Sequence, residues 1–158
     1  MSFESQVARA LDDEHRAHLE LLGRAERAFA GAPDAQWTQL AGPLARQMEH
    51  ELGRHFAFEE DELFPRMAEA GDGDLATLLT EEHASIREVA AELLPLLRQA
   101  AAGATAAASV ATLRRLVLEL VERQVAHIQK ESMALLPLLD DLLDEDSDRT
   151  LAFAHAGG

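Results

Sequence analysis

The chain is 158 residues long, which suits one domain with one core, and 47% of it is hydrophobic. Leu, Ala, Glu and Arg dominate while β-branched and aromatic residues are scarce, a composition that favours helices over strands. The 29 acidic residues outnumber 14 basic ones for a formal charge of −15, which repels phosphate backbones and anionic lipid; cysteine is absent, which excludes disulfides, thiolate zinc sites and cysteine-held iron–sulfur clusters.

Taken in chain order, Gly/Pro-rich breaks at Ala30–Gln36, Ala70–Asp74 and Ala101–Ser109 cut the sequence into four segments with apolar residues at three-to-four spacing. The spacing predicts helix A over Phe3 to Phe29 and helix B over Gln36 to Glu69, bent near Gly42–Pro43. Helix C is predicted over Leu75 to Ala101, kinked at Pro95, and helix D over Val110 to Leu143. Short loops between long helices make antiparallel neighbours, so the expected fold is all-α, an up-down-up-down four-helix bundle over residues 1–145. Residues 146–158 are expected as a C-terminal tail, frayed or forming a short extra helix. No apolar run approaches the ~20 residues of a membrane span, and the opening MSFESQVARALDDEH lacks the basic-then-apolar layout of a secretory signal. The expected location is the cytoplasm, with neither nucleic acid nor membrane as partner.

The chemistry is carried by a repeat. HFAFEEDELFP, from His55 to Pro65, and HIQKESMALLP, from His127 to Pro137, agree in the His, the Glu four residues on, the apolar pair and the Pro. On a helix, four residues leave two side chains roughly 40° apart and one turn up, so both reach the same small volume. Of the seven histidines, only His55 and His127 have a Glu at that distance, Glu59 and Glu131. His15 and His83 form a second matched pair, each at an acidic entry into an apolar face, so helix A resembles C and B resembles D. Counting residues from each histidine to the adjoining loops allows all four to lie near one level of an antiparallel bundle. Four imidazoles and two carboxylates inside an apolar core need compensation, since an unpaired buried carboxylate is costly. Two divalent ions supply it, and nitrogen and carboxylate ligands without sulfur suit iron, manganese or zinc. The alternative is four core histidines and two solvated glutamates.

These residues resemble the hemerythrin-like (HHE cation-binding) family over nearly the whole chain. The ferritin-like carboxylate bundles instead use Glu-x-x-His, a spacing found nowhere here. The resemblance implies a non-haem di-iron centre, oxo- or hydroxo-bridged, with Glu59 and Glu131 as bridging carboxylates. It implies His15 and His55 on one iron, and His83 and His127 on the other. The chain departs from the oxygen-carrying hemerythrins, which have a second helix-C histidine where this chain has Arg87. One protein ligand fewer leaves an iron more open. His18 is a candidate for the missing ligand, its alternative being a core histidine with a backbone partner.

Around the six, Glu14, Glu60 and Glu82 are expected to be solvated or to support the ligands from outside. His50 is expected on the surface and His155 free in the tail. Phe56, Phe58, Phe64, Met48 and Met133 are expected in the core. Arg87 is expected to face a bound anion, pair with a glutamate, or lie exposed and do neither. The chain has no tyrosine, so no tyrosyl radical is available. The expected function is binding of, or reaction with, a small diatomic or peroxide ligand: O2, peroxide or NO. The alternative is an iron sensor, or an iron storage or donor protein without turnover. Enzymatic turnover and oligomeric state are left open at this point.

Overall fold

The computed structural model describes residues 3–157, which form five helices and no strand. Helix α1 is Gln6–Ala30 and helix α3 is Gly73–Ala101. Helix α2 covers residues 35–69, and helix α4 covers residues 110–142 behind a short 3₁₀ turn, Ala107–Ser109. Helix α5, Glu145–Gly157, is the extra C-terminal helix. The predicted boundaries of the four long helices agree with these to within a few residues.

Helices α2 and α4 are not α-helical throughout. Helix α2 runs as Ala35–His50, a π segment Glu51–His55, one α turn Phe56–Phe58, a second π segment Glu59–Leu63, and Phe64–Glu69. Helix α4 runs as Val110–Lys130, a π segment Glu131–Leu135, and Leu136–Leu142. Two of the π segments end just before Pro65 and Pro137. Proline has no N–H and its ring crowds the carbonyl four residues back, so a widened turn relieves both problems. The helix of Gly42–Pro43 is uninterrupted, so α2 departs from α geometry after that pair and not at it.

Each long helix packs on two neighbours: α1 on α2 and α4, and α3 on α2 and α4. Two apolar clusters show the helices to be antiparallel. The larger draws on the C-terminal halves of α1 and α3 (Leu22 to Phe29, Ile86 to Ala100) and the N-terminal parts of α2 and α4 (Trp37 to Met48, Leu113 to Val121). The smaller draws on the opposite ends, with Val7 and Leu11, Leu63 and Met67, Ala76 and Leu79, Leu135 and Leu139. Between the clusters lies a level of buried polar side chains, which is where the repeated motifs fall.

Helix α5 closes the smaller cluster with Leu151 and caps α1. The buried Asp148 carboxylate accepts from the backbone N–H of Gln6 and Val7 at 2.8 and 3.0 Å, while Ser5 Oγ accepts from Ala8. Asp140 of α4 takes the N–H of Glu4 and Ser5, both at 2.9 Å. Helix starts leave four N–H groups unpaired, and carboxylates there also meet the positive end of the helix dipole. Asp148→Ala is therefore expected to destabilise the protein by about 2 kcal/mol, read as a lowered urea midpoint with an unchanged slope.

Candidate metal centre

Six side chains from four helices meet at the polar level: His15 from α1, His55 and Glu59 from α2, His83 from α3, and His127 and Glu131 from α4. All are 2% exposed or less. Ligating atoms of Glu59, His83, His127 and Glu131 lie within 4.8 Å of one another, as do those of His15, His55 and Glu131. Glu131 belongs to both groups and ties the two halves together. Its Oε1 is 2.9 Å from His15 Nε2, and its Oε2 is 3.1 Å from His127 Nε2. Glu59 Oε1 lies 3.5 Å from His55 Nε2 and 3.2 Å from His83 Nε2, so it spans the same halves from α2.

Each imidazole is oriented from outside through Nδ1. His55 Nδ1–H donates to Glu14 at 2.6 Å, His83 Nδ1–H to Glu60 at 2.6 Å, and His127 Nδ1–H to Glu82 at 2.8 Å. His15 Nδ1 is 3.1 Å from Ser132 Oγ. A carboxylate only accepts, so these three rings carry their proton on Nδ1, the tautomer that leaves Nε2 free as a ligand. The outer carboxylates are themselves held in turn: Glu60 by the Arg87 guanidinium at 3.0 Å, Glu82 by the Lys130 ammonium, and Glu14 by the His155 ring at 2.6 Å. Phe56 stacks flat on the His83 ring, with centroids 3.7 Å apart, and the Arg87 guanidinium lies 5.3 Å from the Phe56 ring.

Several expectations are settled by these contacts. Glu14, Glu60 and Glu82 are the supports of three imidazoles, and Arg87 takes the glutamate it was given as one option. His50 is exposed. His155 is not free, because α5 carries it back to Glu14 beside a surface pocket of about 280 Å³. Met133 is 80% exposed, not core, since it lies on the outward side of the third π segment. Phe56, Phe64 and Met48 are buried, and Phe58 is half-buried against His155. His18 is 2% exposed and neither ring nitrogen has a hydrogen-bond partner, so the backbone partner considered for it does not exist.

One buried carboxylate of the region went unnoticed in the sequence. Glu51, four residues before His55, is 2% exposed, with Oε1 3.7 Å from His55 Nε2 and Oε2 3.7 Å from His18 Nδ1. The signal was present, as a Glu one turn before a motif histidine instead of after it. Gln124, one turn before His127, is likewise buried with neither amide atom hydrogen-bonded.

The donor set fits a cation. The inward Nε2 atoms of His55, His83 and His127, both oxygens of Glu59 and Oε2 of Glu131 are buried without a hydrogen-bond partner. Buried polar atoms without partners are rare in folded proteins, and so many in one place mark a binding site. A helical bundle with buried imidazoles and carboxylates converging from facing helices is a metal-binding bundle. A model of the hemerythrin HHE cation binding domain matches residues 6–139, and the chain belongs to that family. Comparison with curated proteins gave no match.

Without a cation the site is balanced by protons. Burial opposes a charged His83, but Glu131, Glu59 and Glu60 outweigh it and push its pKa up to about 9. Burial is likewise outweighed at His55, by Glu59, Glu51, Glu131 and Glu14, and at His127, chiefly by Glu131; both are raised. Burial also opposes an ionised Glu131, yet His127, His15 and His55 hold it well below the usual carboxylate range. In the larger-cluster direction the balance reverses. Burial pushes Glu51 up to about 7 and His18 down to about 3.

These directions fix a pH dependence. Raised imidazoles contribute stability that is complete below their ordinary pKa of 6.5 and is lost as pH climbs through about 9. The depressed Glu131 contributes stability present above 4.5 and lost as pH falls through its lowered value. Metal-free protein is therefore expected to be most stable between these limits and to weaken steadily from pH 6.5 to 9 in urea unfolding. Metal uptake at neutral pH is expected to expel protons, seen as a binding enthalpy that changes with the ionisation enthalpy of the buffer.

Proposed function

We propose that this protein holds two iron ions and that they react with small oxidants: O2, peroxide or NO. The observation that carries this is the convergence of four imidazoles and two carboxylates, most of whose inward atoms lack partners, while three of the outward nitrogens are locked by carboxylates. His15 and His55 serve one ion, and His83 and His127 the other. Glu59 and Glu131 serve both, which their distances to imidazoles of each half support. Nitrogen and carboxylate donors without thiolate suit iron.

Bound there, two irons would supply electrons, one or two at a time, for the reduction of a small oxidant. The chain does the rest. Glu14, Glu60 and Glu82 keep the imidazoles of His55, His83 and His127 in their ligating tautomer and raise their basicity. The two apolar clusters on either side exclude bulk water and favour small oxidants over larger substrates. Arg87, engaged with Glu60 and lying on Phe56, supports His83 and takes no place inside the site. No hydrolytic or phosphoryl-transfer activity is proposed.

Glu59→Ala or Glu131→Ala is expected to lose at least one iron, with affinity falling tenfold or more on the order of a ligand deletion. His50→Ala is expected to keep the full complement, as measured by metal analysis of purified protein. Equal iron in both groups would remove the ligand assignment. Stopped-flow mixing of the ferrous-loaded protein with O2 is expected to give oxidation within the experiment. An oxygenated form stable for hours would make the protein a carrier, and no reaction with O2, peroxide or NO would make it an iron sensor or donor.

A further inference from the structure

We propose that Glu51 is a third carboxylate ligand of the centre, serving the ion on the His15/His55 side, with the buried His18 packed beside it. The proposal rests on the two-iron reading and makes the two halves of the site unequal.

The first observation is backbone geometry. Three π segments interrupt the described helices, and each begins on a buried glutamate: Glu51, Glu59 and Glu131. The backbone carbonyl of each of the three accepts a bond from the N–H five residues on, at Phe56, Phe64 and Leu136. Prolines at 65 and 137 account for the second and third segments, but no proline follows the first within a turn. What the three share is the glutamate. π turns inside α-helices recur at functional sites, where the extra residue re-aims a side chain.

The second observation is the environment of the side chain. Glu51 Oε1 lies 3.7 Å from His55 Nε2, close to the 3.5 Å that separates Glu59 from the same nitrogen. Ligands at ~2 Å from one ion, as in nitrogen and carboxylate sites, stand roughly 3 to 4 Å apart. Glu51 and Glu59, four residues to either side of His55, thus flank its inward nitrogen along α2. The third observation is His18. A buried structural His–Glu pair closes to a charge-assisted hydrogen bond below about 3 Å. This pair stands open at 3.7 Å, and both ring nitrogens of His18 remain unpartnered at 2% exposure. Glu51 is therefore not tied up by His18, and one of its oxygens remains available to the ion.

On the opposite half no carboxylate takes the place of Glu51; the buried polar side chain nearest in sequence before His127 there is the neutral amide of Gln124. Four residues before His127 stands Arg123, which is engaged with Ser85 and Glu119, and three residues after His83 stands the apolar Ile86. An ion on the His83/His127 side would therefore have one carboxylate ligand fewer, which makes that half the readier one for a small oxidant.

The test uses full-length protein loaded anaerobically with ferrous ⁵⁷Fe. Unaltered protein is expected to bind two irons with two distinct Mössbauer quadrupole doublets of equal area. In Glu51→Gln, which preserves size and shape, one doublet is expected to shift or vanish while the other stays, and one of the two ferrous affinities to fall about tenfold or more. His18→Ala is expected to perturb the same doublet to a smaller extent. Far-UV circular dichroism checks that the variants remain helical, and the spectrum of the unaltered protein does not depend on any variant folding. Two irons with a single shared doublet, or two doublets unchanged in Glu51→Gln, would overturn the role of Glu51 and leave the two-iron reading standing. Protein that takes up no iron would overturn both.

Discussion

Everything in this bundle is arranged around the cost of keeping charge away from water. An isolated carboxylate or imidazolium in a helical core costs several kcal/mol even after the surroundings relax, a large share of what a domain of this size has in total. The chain places three carboxylates and five imidazoles within two adjoining turns of its core. It offsets that by opposing their charges at close range. His–Glu contacts run through the level from α1 to α4, so that no carboxylate stands alone. In the absence of a cation, protons retained on the imidazoles do this job, and a cation takes it over by displacing them.

The outward contacts solve a second part of the same problem. An imidazole that must present Nε2 inward has its Nδ1 proton to satisfy, and each of three does so on a glutamate at the boundary of the bundle. Those glutamates then carry charge near the surface, where Arg87, Lys130 and His155 meet them. The three supports differ in one respect. Two of these partners sit on the bundle helices themselves, while His155 arrives on α5. The same helix caps the start of α1 through Asp148, so its packing bears on the entry angle of α1 as well as on the orientation of His55.

Much of this was legible in the sequence because helical periodicity is a strong constraint. His55 with Glu59 and His127 with Glu131 share a face by spacing alone, and the Gly/Pro breaks set helix lengths that bring His15 and His83 to the same level. The acidic neighbours of the histidines were visible, but their roles depend on which adjacent helix they face. Glu14 supports His55, Glu60 supports His83, and Glu82 supports His127, each across a helix–helix contact that no local pattern encodes. The π segments were not legible either. Two of the three stand just before a proline, and the first has no such mark in the sequence. Glu51 gives neither motif's signal because it lies four residues before His55, outside both the repeated His-x-x-x-Glu and the Glu-x-x-His spacing, and His155 gives none because a short polar C-terminal stretch has no periodic pattern. Met133 was misplaced for a related reason: its expected inward position assumes unbroken α register through residues 131–135.

The π segments have one more consequence, for how chain length can vary. A π turn is an α-helix with one residue inserted, and the strain of the insertion is absorbed locally. Beyond each bulge the helix resumes in the phase it would have had with one residue fewer. Leu136 and Leu139 thus face the smaller cluster in the register of a shorter helix. Removing one residue from Val121–Ala126 would turn everything after it by roughly 100° and bury the wrong face. Removing one from 132–135 would let the bulge close to an α turn and leave the leucines where they are. The places in these helices most forgiving of a deletion are those next to Glu51, Glu59 and Glu131, where the backbone carries one residue more than the apolar core requires.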